Sequence, residues 1–228
     1  MKSEEVHSSL SNITDLLTDD QKEEFLKEMQ VEWYERNRSI YSEGDKPEYL
    51  LCLISGKVKI YTMGVGGRMQ IVHILKPTAY FGYRAYFASQ RYLTYASAFE
   101  KSLICKIPLK LVEEMMQTNV RLSMFFVKML SMDLGVSDSR TVSLTQKHIR
   151  GRLADSLLFL RKTYGVEEDG ATLSIKVSRE DLAGLSNMTT SNAIRTLSGF
   201  ASENLLEVSG RSIKIINSEA LQKISDFG

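Results

Sequence analysis

The middle of the chain alternates short apolar runs with turn-forming residues. Between residues 31 and 107, runs such as 49–54, 58–61 and 70–75 are rich in Tyr, Ile, Val and Leu. Gly44, Gly56, Gly64 and Pro77 lie between such runs. Six to eight short strands with a turn about every ten residues predict a small antiparallel barrel or jelly roll.

Apolar residues follow helical spacing both before and after this region. Residues 19–30 predict a short amphipathic helix with Phe25, Leu26 and Met29 on one side. After the strands, helical patterns return at 109–116, at 120–144 and at 149–164. The second of these would be ~37 Å long at 1.5 Å per residue, which is long for a protein of this size.

The long helix carries two apolar stripes. One follows the 3-4 spacing of a coiled-coil seam: Leu122, Phe125, Met129, Met132 and Val136. The other comprises Phe126, Leu130 and Leu134. We therefore expect this helix to contact both its own barrel and a second copy of the chain, so that the protein is a homodimer. The alternative is a core helix with one buried side.

The C-terminal part predicts two short helices joined by a turn. Ser178 can cap the first helix with Asp181 as its partner three residues on, and Thr189 can cap the second after an Asn-Met turn. On the second helix one side is apolar (Ala193, Ile194, Leu197, Phe200, Ala201) and the other polar (Ser191, Arg195, Ser198, Ser202, with Thr190 at the edge). Two strand-like runs, 205–208 and 212–216, follow as a hairpin. This order indicates a winged helix-turn-helix.

The polar face of the second helix carries the chemistry for reading DNA. Arg195 is its only cation, and arginine donates to O6 and N7 of guanine in the major groove. Hydroxyl and amide groups at a helix N-terminus suit phosphate oxygens. The candidate DNA-binding residues are Arg195, Ser191, Thr190, Thr189, Asn192, Arg179, Ser178 and Arg211. Two alternatives stay open: a winged helix that contacts only proteins, and solvated surface positions for Arg179 and Arg211.

The composition is that of a folded globular protein, but it does not indicate what the protein binds. An apolar share of 43% and a charged share of 25% are typical of a folded globular chain, and a net charge of +1 gives the DNA prediction little support. Cys52 and Cys105 are too few for a disulfide framework, and they exclude a four-cysteine iron–sulfur cluster. The chain shows no export signal, and the apolar stretch 122–134 is too short to span a membrane. We expect a cytoplasmic protein with no membrane partner.

An enzyme is the competing class, because small β-rolls also hold catalytic metals in cupin-like proteins. Such sites need clustered histidine and carboxylate ligands. The predicted roll contains only His73, whereas His7 and His148 lie outside it. No nucleophile–base pair is evident either, so we expect no catalytic residues, no metal and no enzyme activity.

Five short stretches carry a resemblance to a known family. They are YSEGD at 41–45, ISGKVKI at 54–60, YFG at 80–82, GRLA at 151–154 and SREDLA at 178–183. In this order and spacing the sequence resembles the Crp/Fnr family of regulators over almost its whole length. By position, Arg195 looks like the base-reading arginine of the family, and Thr189 and Arg179 look like its phosphate contacts.

The resemblance implies an α+β protein of three parts. A double-stranded β-helix (jelly-roll) effector domain covers 1–118, a dimerisation helix covers 119–145, and a winged helix-turn-helix covers 146–228. The implied partners are near-palindromic double-stranded DNA, a second copy of the chain and, for an activator, RNA polymerase. Many relatives carry an acidic residue where Ser191 stands, so the resemblance leaves the target sequence open.

The effector pocket departs from the pattern of cAMP-binding members. They have a glutamate after Phe-Gly and an Arg-Ser pair ten residues later, where this chain has Tyr83 and the stretch 92–94. On the long helix Ser137-Asp138 replaces their Thr-Ser, and Asp138 would repel a cyclic phosphate. The pocket candidates are Gly82, Tyr83, Arg84, Arg91, Tyr92, Thr94, Ser137 and Asp138.

We expect an unidentified effector other than cAMP. A haem held by His73 is one alternative, although a strand histidine is more commonly satisfied by its neighbours. Another alternative is an effector-independent regulator whose cavity is filled by the rings of Tyr83 and Tyr92.

Overall fold

One strand separates the two apolar cores of the N-terminal half. In the computed structural model, which describes residues 3–227, strand β3 (Tyr49–Ser55) contributes Leu50, Cys52 and Ile54 to one core. Leu51 and Leu53 belong to the other. Successive side chains of a strand point to opposite faces. The unbroken apolar run of β3 is therefore the pattern of a strand buried on both sides.

Eight strands form the predicted roll from two antiparallel sheets. The first sheet has the order β1 (Gln30–Tyr34), β8 (Ser102–Pro108), β3, β6 (Tyr80–Phe81). The second has the order β2 (Ser39–Tyr41), β7 (Tyr95–Ala98), β4 (Val58–Met63), β5 (Met69–Leu75). The inner core, which contains Leu53, Val58, Phe81, Ala96 and Ile104, is shared by strands of both sheets. The expected α+β class and jelly-roll domain are confirmed.

Helices cover the other side of the first sheet. They are α1 (Ser3–Thr14), α2 (Asp19–Glu28), α3 (Tyr83–Phe87), α4 (Leu109–Thr118) and the first half of α5 (Val120–Gln146). Helix α1 was not predicted, yet Val6, Leu10 and Ile13 are buried at the i, i+4, i+7 spacing of an amphipathic helix. The helical signal was therefore present in the sequence.

The side of α5 that packs on the roll differs from the prediction. Leu122 and Phe126 are only 1% exposed, and Phe125 and Met129 are half-buried against the same core. The assignment of Leu122 to a partner-facing seam is therefore wrong, because its side chain is covered by its own roll. Phe125 and Met129 keep part of their surface exposed, and their assignment to the seam stays a prediction. Met132 and Val136, from the same predicted set, are exposed. The apolar residues exposed on the opposite side are Val120, Met124, Val127 and Leu134.

Contacts divide the described chain into two units whose boundary falls within α5. The first takes in the residues up to Thr62 together with Val72–Gly135, and the second takes in Met63–Ile71 together with the residues from Val136 onward. The second contains α6 (Ile149–Tyr164), α7 (Arg179–Leu185), α8 (Thr190–Ser202), β9 (Leu206–Ser209), β10 (Ser212–Ile215) and α9 (Ser218–Phe227). Helix α9 was not predicted; it buries Leu221.

A polar cluster joins the end of α5 to the rest of the second unit. Asp155 on α6 accepts hydrogen bonds from Ser143 at 2.7 Å and from Ser225 at 3.1 Å. Lys147 lies 3.1 Å from the same carboxylate and donates to Ser225 at 3.1 Å. One carboxylate therefore links α5, α6 and α9.

Residues 1, 2 and 228, at the ends of the predicted first and third domains, lie outside the described residues. Within 3–227, none of the helices combines the length and the apolar character needed to cross a membrane.

Candidate nucleic-acid interface

Helix α7 begins at the predicted cap. The hydroxyl of Ser178 accepts a hydrogen bond from the backbone N–H of Asp181 at 3.0 Å and donates to its carboxylate at 2.6 Å. This arrangement satisfies a backbone donor that a helix start otherwise leaves unpaired. The side chain of Ser178 is thus engaged within α7, and its observed role is that of a cap.

The turn between α7 and α8 is held by the backbone and by a buried hydroxyl pair. Asn187 adopts φ 47°, a left-handed conformation that asparagine tolerates better than most residues. The N–H of Met188 donates to the carbonyl of Ala183 at 3.0 Å. Ser186 donates to Ser156 on α6 at 2.9 Å, and Ser186 is 1% exposed. The turn is therefore anchored to the helix beneath it.

Helix α8 presents a polar face that begins at its N-terminus. Thr189 caps the helix by accepting from the N–H of Asn192 at 3.2 Å. The exposed side chains of this face are Thr189, Thr190, Ser191, Arg195 and Ser198, whereas Asn192 is half-buried. Among residues 3–227, Arg195 has no hydrogen-bond or ion-pair partner. Its five N–H donors are available to an external acceptor.

The opposite face of α8 holds the helix in place. Ala193, Leu197 and Phe200 are between 0% and 2% exposed. Ile194, which was assigned to this apolar side, is instead 46% exposed, so that assignment is wrong. Ile194 lies at the border between the two faces of the helix. At such a position the packing of neighbouring elements decides whether the side chain is buried.

The C-terminal end of α8 is fixed by an ion pair. Arg150 on α6 donates to both carboxylate oxygens of Glu203, at 2.9 and 2.7 Å, and its guanidinium lies 4.9 Å from the Phe200 ring centre. These hydrogen bonds hold the pKa of Glu203 below its ordinary value. Arg150 is consequently occupied at the end of α8 far from its polar N-terminus.

The wing follows as predicted. Strands β9 and β10 pair antiparallel with Ser209 opposite Ser212, and Gly210 between them has φ 57°. Arg211 at the tip is exposed, and its carbonyl accepts from the N–H of Val177, next to the cap of α7. Arg179 is half-buried on the first turn of α7. The second unit thus brings the candidates of α7, α8 and the wing into one winged helix.

The interior of the roll is occupied by its own aromatic rings. Tyr41 and Tyr92 stack with ring centres 3.8 Å apart and planes inclined by 13°. The hydroxyl of Tyr41 lies 3.4 Å from that of Thr94. Burial raises the pKa of both tyrosines above the ordinary value of a phenol. Tyr41 was missed as a pocket residue, although it opens the YSEGD stretch that the family resemblance used.

Gly82 lies beside this stack at the start of α3. The ring of Tyr83 packs in the other core, against Phe126, so the expectation that it fills the roll cavity is wrong. Gly82 has φ 88°, and a Cβ there would meet the Tyr92 hydroxyl and the Tyr49 carbonyl at 3.1 Å. Tyr83 is 2% exposed and donates to Asp133 on α5 at 3.1 Å. Burial and the Asp133 carboxylate both raise the pKa of Tyr83. Asp133 was not among the predicted pocket residues.

The remaining pocket candidates are at the surface. Arg84 and Arg91 are exposed, and Arg91 donates to the carbonyl of Gly44 at 2.7 Å. Ser137 and Asp138 are exposed on α5 beyond Gly135. His73 is half-buried on β5 and takes part in an interaction of its own. Nowhere in 3–227 do three or more His, Cys, Asp or Glu side chains gather as a metal-binding group.

Comparison with known proteins matches both halves of the chain. The cyclic nucleotide-binding domain family matches residues 31–119, and the Crp-like helix-turn-helix domain family matches residues 151–224. Similar proteins include the global nitrogen regulator of Nostoc sp., 26% identical over 189 residues that cover 81% of this chain and 84% of the relative. Another is the CRP-like cAMP-activated global transcriptional regulator of Mycobacterium tuberculosis, 24% identical over 86% of this chain and 88% of the relative.

The fold agrees with solved structures of such regulators. The c-di-GMP responsive global regulator CLP of Xanthomonas campestris superimposes with a TM-score of 0.77 at 20% identity, over 87% of this chain and 99% of that protein. The two domain families together take in most of the chain. The chain therefore belongs to the Crp/Fnr family, whose members are DNA-binding transcriptional regulators and not enzymes.

Proposed function

We propose that this regulator acts as a homodimer that places two copies of α8 in successive major grooves of a near-palindromic site. Arg195 reads guanine, and Thr189, Thr190, Ser191 and Asn192 contact the phosphate backbone around it. The observation that carries this proposal is that Arg195, on a helix fixed at both ends, is exposed and has no hydrogen-bond or ion-pair partner in the described part of the chain. Paired recognition helices of two-fold dimers lie about 34 Å apart on DNA.

The exposed stripe of α5 supports the homodimer. Val120, Met124, Val127 and Leu134 are between 50% and 75% exposed and follow 4-3-7 spacing, which matches a coiled-coil seam. Large apolar side chains that line one side of a helix are costly to leave in water, because each would contribute ~1.5–3 kcal/mol on full burial. We infer that a second copy covers this stripe, and that Met132 and Val136, which are exposed on another side of α5, lie outside it.

For the effector we propose a ligand other than cAMP. Two relatives with the same domain plan differ in the nucleotide that their names give, cAMP for one and c-di-GMP for the other. Tyr83 stands where cAMP-binding members carry the glutamate, and Asp138 adds a negative charge on α5. Tyr83 therefore cannot supply the carboxylate that holds the ribose in those members, and Asp138 carries a charge of the same sign as a cyclic phosphate.

A second candidate is a regulator whose roll is filled by its own side chains. The Tyr41–Tyr92 stack and the contact of Tyr92 with Gly82 favour it, because these groups occupy the roll interior that a ligand would need. Such a protein would be controlled by its abundance. In either case we expect it to act in the cytoplasm, and to contact RNA polymerase if it activates transcription.

Selection of duplexes from a random library, followed by sedimentation of the protein alone and with the selected DNA, tests the proposal. We expect a two-fold-related sequence and a complex of two chains with one duplex. A single chain at every concentration, or equal binding of selected and random duplexes, would overturn it.

A thermal-shift screen with cyclic nucleotides, haem and small organic acids separates the two effector candidates. A ligand that binds only the folded state raises its stability by mass action. A rise in melting temperature with one compound class favours a regulator that binds an effector. If the rise is lost in Tyr92→Ala, the compound binds in the roll. Unchanged melting with every compound, combined with full DNA affinity of the untreated protein, favours the filled roll.

A further inference from the structure

One apolar side chain is exposed at the edge of the polar face of α8. Ile194 is 46% exposed and lies one turn after Thr190, one turn before Ser198 and next to Arg195. The apolar residues on either side of it in sequence behave differently: Ala193 is 0% exposed and Leu197 2%. Ile194 is therefore a large apolar group within the surface that is proposed to face DNA.

The winged helix itself gains little from isoleucine at this position. With 46% of its surface exposed, Ile194 contributes less burial to the core than Leu197 does, and isoleucine has a lower helix propensity than alanine, arginine or lysine. A polar residue would serve equally well on a face that was only solvated. The choice of residue points to a contact made outside the chain.

The major groove offers one apolar group, the 5-methyl of thymine. We propose that Ile194 contacts a thymine methyl beside the guanine read by Arg195, and so makes a thymine one of the specified bases of each half-site. A β-branched side chain in a helix has one strongly preferred χ1 rotamer, so little side-chain freedom is lost on contact. The hydroxyl of Ser191 both donates and accepts, so it does not supply this selectivity.

This inference rests on the proposed DNA binding, and one base analogue isolates it. Deoxyuridine differs from thymidine only by lacking the 5-methyl. Each thymine of the selected duplex is replaced by deoxyuridine in both half-sites in turn, and affinities are measured by fluorescence anisotropy. For the wild-type protein we expect one position where affinity falls by about fourfold per half-site, the equivalent of one buried methyl group.

Variants of the full-length chain identify the side chain responsible. In Ile194→Ala and Ile194→Ser the deoxyuridine effect at that position should disappear. Ile216→Ser is the matched control, because Ile216 is 49% exposed in the same unit but lies outside α8. It should keep the full effect, and unchanged circular dichroism should show that all three variants fold.

Two results would overturn the inference while leaving the proposed function intact. One is equal affinity of the wild-type protein for thymine and deoxyuridine at every position of a specific site. The other is an undiminished deoxyuridine effect in Ile194→Ser. Failure of the proposed function is distinct, because no duplex would then be selected by any of the proteins.

Discussion

Tyr83 on α3 donates a hydrogen bond to the carboxylate of Asp133 on α5, with 3.1 Å between the oxygens. The ring of Tyr83 is buried edge-on against Phe126, with ring centres 5.4 Å apart. One side chain thus connects the short helix of the roll to the long helix by both apolar and polar contacts. The contact lies at the position where cAMP-binding members of the family carry a glutamate for the ligand.

Removal of this hydroxyl should weaken the roll measurably. Tyr83→Phe keeps the ring and deletes the donor, and we expect a loss of about 1 kcal/mol in the free energy of unfolding, at the low end for a bond to a charged group because Asp133 is exposed. Urea denaturation measures the loss. Tyr86→Phe is the control, since its bond to Glu113 at 2.5 Å is exposed and should contribute less. Equal losses in both variants would contradict the structural role of the Tyr83 contact.

Stability should also fall in alkaline solution. Burial raises the pKa of Tyr80, Tyr83 and Tyr92 above the ordinary value of 10.0. Above about pH 10 the unfolded chain then loses protons that the folded chain keeps, so stability present below this pH is lost as the pH rises. Unfolding free energies between pH 9 and 11 should decline less steeply for Tyr83→Phe, by up to about 1.4 kcal/mol per pH unit. Parallel curves for variant and wild type would be inconsistent with the raised pKa.

If Arg195 reads a base, its removal should lower the affinity for the specific DNA site. Arg195→Ala should weaken binding to the selected duplex by about 1–3 kcal/mol and relax specificity at one base pair. Arg36→Ala is the matched control, because Arg36 is exposed in the roll. Titrations over a salt series separate base reading from phosphate contacts. If both variants bind with the same affinity at every salt concentration, Arg195 does not read a base.

The two sides of α5 should respond differently to substitution. Val127→Asp, on the exposed stripe, should raise the dimer dissociation constant by about two orders of magnitude, since one buried Val contribution is lost from each chain. Leu122→Ala should instead lower the unfolding free energy by roughly 2–5 kcal/mol, as expected for a core residue. Sedimentation and urea denaturation make the two measurements. The assignment of the faces is wrong if Leu122→Ala dissociates the dimer and Val127→Asp does not.

Local patterns were sufficient for most elements of the chain. Short apolar runs separated by glycine predicted the roll, and the caps at Ser178 and Thr189 predicted where α7 and α8 begin. Capping and turn formation depend on residues within a few positions of one another, so their physics is contained in the sequence. The same holds for the polar face that carries Arg195. Helices α1 and α9 were not predicted, although apolar residues at 6, 10 and 13 and at 220, 224 and 227 follow helical spacing in both.

Which face of each helix is buried depended on tertiary contacts. Helix α5 has apolar residues on both sides, and 3-4 spacing fits each of them, so the sequence could not tell Leu122, which is buried, from Val127, which is exposed. Ile194 likewise lies at a border that only the neighbouring elements decide. The pairing of Tyr41 with Tyr92, some fifty residues away in sequence, required the closed roll. The sequence determined which elements form and which groups they carry, because these are local properties. Only the tertiary structure decided which side chains remain available to a partner, because burial depends on what packs against each face.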